Sequence, residues 1–325
     1  MDALKILNAL KANAVQRAIR REERRDFFRV AGGFAAGAAG TFALTACGGQ
    51  TSIATAQSTG PSDPDILNFA LNLEYLEANF YSYATTGAAI PASLMTGTGT
   101  QGPVTPGQMA NLSNPAVIAY ANEIAADELK HVEFLRTALG SAAVAQPAID
   151  VSAAGAFTTA AQAAGVIPAG AQFNPYASDE AFLLGAYIFE DVGVTAYHGA
   201  APLLSSKTYL EAAAGILAVE AYHAGLVRTS LYAMGIATPP PAINPFTATA
   251  QISALRAKLD GTGNDDQGIQ GASATISNIV DADSNAIAYS RTAAQVLNIV
   301  YGTTAAVTMG LFFPAGVNGP INTSG

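Results

Sequence analysis

Ile124-Ala125-Ala126-Asp127-Glu128-Leu129-Lys130-His131-Val132 places a glutamate three residues before a histidine in an apolar, helix-forming stretch, and Ala218-Val219-Glu220-Ala221-Tyr222-His223-Ala224 does the same. The whole chain has 3 histidines, and two of them close this motif. On an α-helix, residues i and i+3 share a face, so each motif aims a carboxylate and an imidazole at one point. Two such helices facing each other, with one glutamate from each of two further helices, form a carboxylate-bridged di-iron or di-manganese site in a four-helix bundle.

The two further glutamates follow from a repeat. Within Asn68 to Tyr81, Glu74 stands seven residues before Tyr81, and within Gly185 to Tyr197, Glu190 stands seven residues before Tyr197. The chain therefore reads as two copies of one unit, Glu-x6-Tyr on a first helix and Glu-x-x-His on the next. Self-similarity of this kind marks a duplicated helical pair related by a pseudo-twofold axis.

These four segments resemble the ferritin-like superfamily, including the tyrosine two turns after the first glutamate. The similarity is greater to the ferritin-like proteins called desiccation-related, in which segments like Asp281-Ala282-Asp283, Tyr289-Ser290-Arg291-Thr292 and Gln295 to Gly302 follow the bundle. It covers roughly residues 60 to 320. The resemblance implies an all-α fold: a ferritin-like four-helix bundle over residues 63–235 with a long crossover, and a C-terminal extension over 236–325, packed on the bundle and carrying one or two short helices. It implies a metal set of Glu74, Glu128, His131, Glu190, Glu220 and His223.

The chemistry of that set is self-consistent. A buried ionised carboxylate without a partner costs several kcal/mol, so four converging glutamates need cations or protons. Four carboxylates and two neutral imidazoles balance two divalent ions, and hard oxygen with imidazole ligands suits iron or manganese. Glu77 shares an apolar face with Phe69, Leu73 and Phe80, so it competes with Glu74 or adds a ligand; the tyrosine spacing favours Glu74. Asp127 precedes the first motif, where it can accept a hydrogen bond from a metal-bound imidazole, whereas the second motif has Val219 there. Tyr81 and Tyr197 are expected to hydrogen-bond ligands or pass electrons, or simply to be half-buried bundle tyrosines. Asp191 and His198 read as outer or surface groups. Asp265-Asp266 and Asp281-Ala282-Asp283 hint at a second cation site, though solvated turns explain them as well.

Helix boundaries are legible. Asp63 offers a cap with Pro64 behind it, opening a helix to about Thr85; Asn114-Pro115 repeats the device for a helix running to Leu139 and stopping at Gly140. Ser141 to Ala177 is Ala/Gly/Pro-rich and long enough for the crossover. Ser178 caps a third helix with the stripe Leu183, Ala186, Glu190, Val194, Tyr197, and a fourth runs from near Ser206 to Met234.

The N-terminus is an address. Of the 15 basic residues, Lys5, Lys11, Arg17, Arg20, Arg21, Arg24, Arg25 and Arg29 precede position 30, leaving a strongly acidic body within a chain of net charge −9. Such a surface disfavours nucleic acid. Glu23-Arg24-Arg25-Asp26-Phe27-Phe28-Arg29 resembles a twin-arginine export signal, with Val30 to Ala46 as its apolar run. It departs from the usual pattern in Glu23, Phe28 and Arg29. A spanning helix wants about 20 apolar residues, so residues 1–46 read as a signal rather than an anchor. Cys47, the single cysteine, follows Leu44-Thr45-Ala46 as in a bacterial lipobox, the alternative being ordinary cleavage nearby. Residues 47–62 then form a flexible tether.

The expected protein is an exported, periplasmic or cell-surface lipoprotein, membrane-bound through Cys47. Its two divalent metal ions act on a small oxidant such as oxygen or peroxide in stress protection. A non-catalytic protective scaffold is the rival, cage-type iron storage comes third, and a homo-oligomer is left open.

Overall fold

The computed structural model describes residues 60–239, 241–262 and 265–325. The expected export signal, Cys47 and most of the expected tether lie outside them. The described residues are all-α apart from one short ladder and a few isolated β-bridges. Helix α1 spans Asp63–Thr86, α2 Pro115–Leu139, α3 Thr158–Ala164, α4 Asp179–Tyr187, α5 Glu190–Ala200, α6 Lys207–Gly235, α7 Pro245–Asp260 and α8 Ala293–Tyr301. Strands β1, Val104–Thr105, and β2, Ile149–Asp150, pair in parallel and tie the loop after α1 to the crossover.

The bundle is α1, α2, the pair α4 and α5, and α6. The i, i+3, i+4 spacing of apolar residues turns one face of α2 inward, burying Val117, Ala121, Ile124, Glu128, His131 and Leu135. Helix α6 likewise buries Ile216, Glu220, His223 and Val227. Helix α1 is buried on nearly all sides from Ile66 to Tyr81, because the crossover and the C-terminal tail cover the face turned away from the bundle. Its asparagines hold that cover. Asn68 bonds Ala142 O and Val144 N, Asn79 bonds the Gln146 amide, and Asn72 bonds both backbone groups of Asn318. Each thereby satisfies a polar group that would otherwise be buried unpaired.

Three boundaries differ from expectation. Ser62, not Asp63, caps α1, and the Asp63 carboxylate instead accepts from Ser205 N and Ser206 N, each at 2.8 Å, at the entry to α6. The third bundle helix is not continuous. At Ile188-Phe189 its backbone tightens to i→i−3 bonds, Ile188 N to Gly185 O at 3.2 Å and Phe189 N to Ala186 O at 2.9 Å, and Val194 falls outside the buried stripe. The cause is tertiary: Arg256 Nη1 donates to Tyr187 O at 2.6 Å and takes that carbonyl out of the helix ladder. In the extension, α7 is 16 residues, longer than the short helices expected, while α8 starts at Ala293 with Thr292 as cap.

Candidate metal centre

Glu74 projects from α1, Glu128 and His131 from α2, Glu190 from the first residue of α5, and Glu220 and His223 from α6. All six are buried. His131 Nδ1 lies 3.2 Å from Glu74 Oε2, 3.4 Å from Glu128 Oε2 and 3.5 Å from Glu220 Oε1. His223 Nδ1 lies 2.9 Å from Glu128 Oε1 and 3.5 Å from Glu190 Oε2. Glu74, Glu128, His131 and Glu220 thus form one donor group, and Glu128, Glu190 and His223 a second, the ligand atoms of each within 4.8 Å of one another. Glu128 belongs to both, one oxygen toward each imidazole.

Glu77 does not displace Glu74. Both converge, and Glu77 joins Glu128, Glu190 and Glu220 in a third grouping. The donor set fits metal ions. The Oε2 atoms of Glu77, Glu190 and Glu220 are buried without a hydrogen bond, and the two oxygens of Glu128 meet only the imidazoles of His131 and His223. Folded proteins leave few such atoms unsatisfied. Separations a little over 3 Å are those of ligand atoms around an ion bonded at about 2.1 Å.

Without a cation the cluster balances itself with protons. Burial pushes the Glu74 carboxyl up to about 7, with His131 pulling the other way and Glu128 adding to the rise. Burial also raises Glu77 and Glu220 well above the carboxylate range, and repulsion from Glu128 reinforces both. Glu128 goes the other way: the charges of His131 and His223 outweigh its burial and hold it low. Burial would discharge the imidazoles, yet Glu74 and Glu128 lift His131 to about 11, and Glu190 with Asp127 and Glu128 lifts His223 higher still.

The surrounding bonds cross between the two repeat units. Tyr81 donates to Glu190 Oε1 and Tyr197 to Glu74 Oε1, so each unit's tyrosine orients the other unit's glutamate. Asp127 Oδ2 sits 3.4 Å from His223 Nε2, supporting the imidazole of the opposite motif rather than its neighbour His131.

A family model for the ferritin-like domain matches residues 62–233, more than half of the 325-residue chain. The chain belongs to the ferritin-like family. It is 36% identical to the desiccation-related protein PCC13-62 of Craterostigma plantagineum over 239 residues, 71% of this chain and 75% of that protein. It is 31% identical to the ferritin-like catalase Nec2 of Nesocodon mauritianus over 271 residues, 80% of this chain and 85% of that protein.

Within this ferritin-like bundle, one residue of the site carries no chemistry and escaped the sequence reading. Gly193 stands three residues after Glu190, where the first unit has Glu77 three after Glu74. A Cβ there would lie 2.1 Å from Glu220 Oε2, so glycine is what lets that carboxylate enter the centre. Gly193→Ala is expected to push Glu220 out and lower the metal bound per chain, with helical circular dichroism unchanged. Full metal content in that variant would show that Glu220 is not a ligand.

Several outer residues need correction. Asp191, expected near the metal or at the surface, accepts from Arg228 Nη1 at 2.8 Å and Arg256 Nη2 at 2.9 Å. Asp266 accepts from Arg256 and, at 2.8 Å, from Arg291 Nη2; Asp260 accepts from Arg291 Nε at 2.7 Å. All three guanidiniums are buried. Asp191, Asp266 and Asp281 come close enough to share a cation, and Arg228 and Arg256 already stand among them, with Arg291 on Asp266. Asp266 is therefore no solvated turn, and burial pushes Asp281 up to about 7. Asp283 is a turn residue, accepting from Asn285 N and Ile287 N. His198 is half-buried, its Nδ1 3.0 Å from Tyr289 O. The network fastens the C-terminal extension to α5 beside Glu190.

Proposed function

We propose that this chain is an exported oxidoreductase in which Glu74, Glu128, His131, Glu190, Glu220 and His223 hold two iron or manganese ions that break down hydrogen peroxide to water and oxygen. One observation carries the reading: two buried Glu/His donor groups sharing Glu128. Its likeness to a protein named a ferritin-like catalase points to peroxide. Bound together, two such ions supply a two-electron redox change, the demand of converting two peroxides to two waters and one dioxygen.

The residues around them set the conditions. Tyr81 and Tyr197 orient Glu190 and Glu74. Two divalent ions are balanced by four carboxylates, and Glu77 is a fifth, with one buried oxygen that has no hydrogen bond. A void of about 10 Å³ beside Glu77 and Gly193 has room for a molecule the size of water.

The test is reconstitution with manganese or iron, elemental analysis, and an oxygen electrode with hydrogen peroxide. Two metals per chain and oxygen evolution are expected. A fully loaded protein that evolves none would favour a non-catalytic protective role, the reading its likeness to a desiccation-related protein suggests.

Loading should also expel protons. In the metal-free protein His131, at about 11, and His223, above it, are charged at pH 7, and Glu74, at about 7, is half-protonated. Metal ligation needs neutral imidazole and ionised carboxylate, so affinity should rise with pH, with more than two protons released per chain at pH 7. An indicator dye in weak buffer measures this; no release would sink the ligand set.

Export and anchoring rest on Arg24-Arg25 and Cys47. Two or three acyl chains on Cys47 would attach the protein stably. Cys47→Ala should move it from the membrane to the soluble fraction or leave uncleaved precursor. Mature wild-type protein with no lipid in its mass would overturn the anchor.

A further inference from the structure

Away from the carboxylate cluster, a cavity of about 360 Å³ opens between α3 on one side and α7 and α8 on the other. Its volume falls in the range of small-molecule sites. The alanine-rich α3 leaves the space: Ala160, Ala161 and Ala164 face it with no atom beyond Cβ, opposite Ile252, Leu255 and Leu259 of α7. Short side chains on one wall are what keep the two elements from closing together.

One lining side chain is cationic. Arg256 is 2% exposed; its Nη1 donates to Tyr187 O, and its Nη2 serves Asp191 and Asp266. Its Nε is buried as well and presents no surface to the cavity. The charge of Arg256 is already met by two carboxylates, and Asp150 also lines the cavity. A further anion would therefore be buried against negative charge, whereas a neutral molecule would not.

We propose that this cavity binds a neutral, largely apolar small molecule, such as a ketone, ester or ether with an otherwise hydrocarbon frame. Ile188, Ile299 and Phe312 line both this cavity and the small void at Glu77 and Gly193, so one layer of side chains separates the ligand from the carboxylate centre. The ligand is thus not the molecule that reacts there. Its binding does not depend on the metal.

The probe is 6-propionyl-2-(dimethylamino)naphthalene, a neutral naphthyl ketone whose emission moves to the blue on leaving water, titrated into the intact protein with and without metal. Saturable binding of one probe per chain with a blue shift is expected, equal in both forms. The sulfonate 8-anilinonaphthalene-1-sulfonate, similar in size but anionic, is expected to bind more weakly. Two variants fill the cavity, Ala160→Leu from its wall and Ala164→Phe from its half-exposed rim. Each added group of this size should weaken the ketone by about tenfold or more. Melting temperature and metal content should remain those of the wild type. Unsaturable binding, or unchanged affinity in either folded variant, would overturn the site. Tighter binding of the sulfonate would overturn the neutral-ligand assignment.

Discussion

Glu128→Ala is expected to empty both metal positions at once, while His131→Ala and His223→Ala each empty one. Glu128 is shared by both donor groups, its Oε2 3.4 Å from His131 Nδ1 and its Oε1 2.9 Å from His223 Nδ1. Removing even an outer partner of a metal ligand costs about 10- to 100-fold in affinity, so losing the shared ligand should weaken both positions by roughly a hundredfold or more. Elemental analysis after dialysis should give no metal in the glutamate variant and one ion per chain in each histidine variant. Far-ultraviolet circular dichroism should be unchanged in all three, because apolar packing holds most of a helical bundle together. Two ions retained by Glu128→Ala would refute a shared ligand, and with it the dinuclear arrangement.

Arg291→Met should be the most destabilising single change outside the centre. It strands Asp260 and leaves Asp266 with Arg256 alone; the two carboxylates accept from this guanidinium at 2.7 and 2.8 Å in the core. Breaking one side of a buried ion pair costs about 3–5 kcal/mol. In a unit of this size that corresponds to a fall of roughly 10 °C in melting temperature, read by calorimetry on metal-free protein so that ligand binding does not mask it. Asp260→Ala in the Arg291→Met background should then cost less than it does alone, since the stranded charge is gone. A melting temperature within about 2 °C of the wild type would mean that the extension is held by apolar contacts instead.

The two predictions draw on information of different kinds. Glu-x-x-His at positions 128 to 131 and 220 to 223 is a statement about one helix face, and helix geometry is local, so the direction of those side chains follows from spacing alone. The pairing of Glu74 with Glu190 followed from a repeat, which is also visible along the chain. Helix limits set by Asn114-Pro115, Gly140 and Ser178 were local as well. The break at Ile188-Phe189 was not, because its cause is a guanidinium from residue 256. Nor does spacing decide whether Glu74 or Glu77 faces the centre, since both lie on the inner side of a helix that the crossover and tail enclose completely.

The sequence by itself therefore determined an all-α bundle of two related helical pairs and six residues with the chemistry to hold metal, since each rests on spacing along the chain, while the family followed from the resemblance of those motifs. Only the tertiary structure decided that Tyr81 serves Glu190, that Asp127 serves His223, that Gly193 admits Glu220, and that Asp191 and Asp266 belong to three buried arginines. Each of those joins residues distant along the chain, and a side chain's partner across a core depends on the packing of whole elements, which no local spacing encodes.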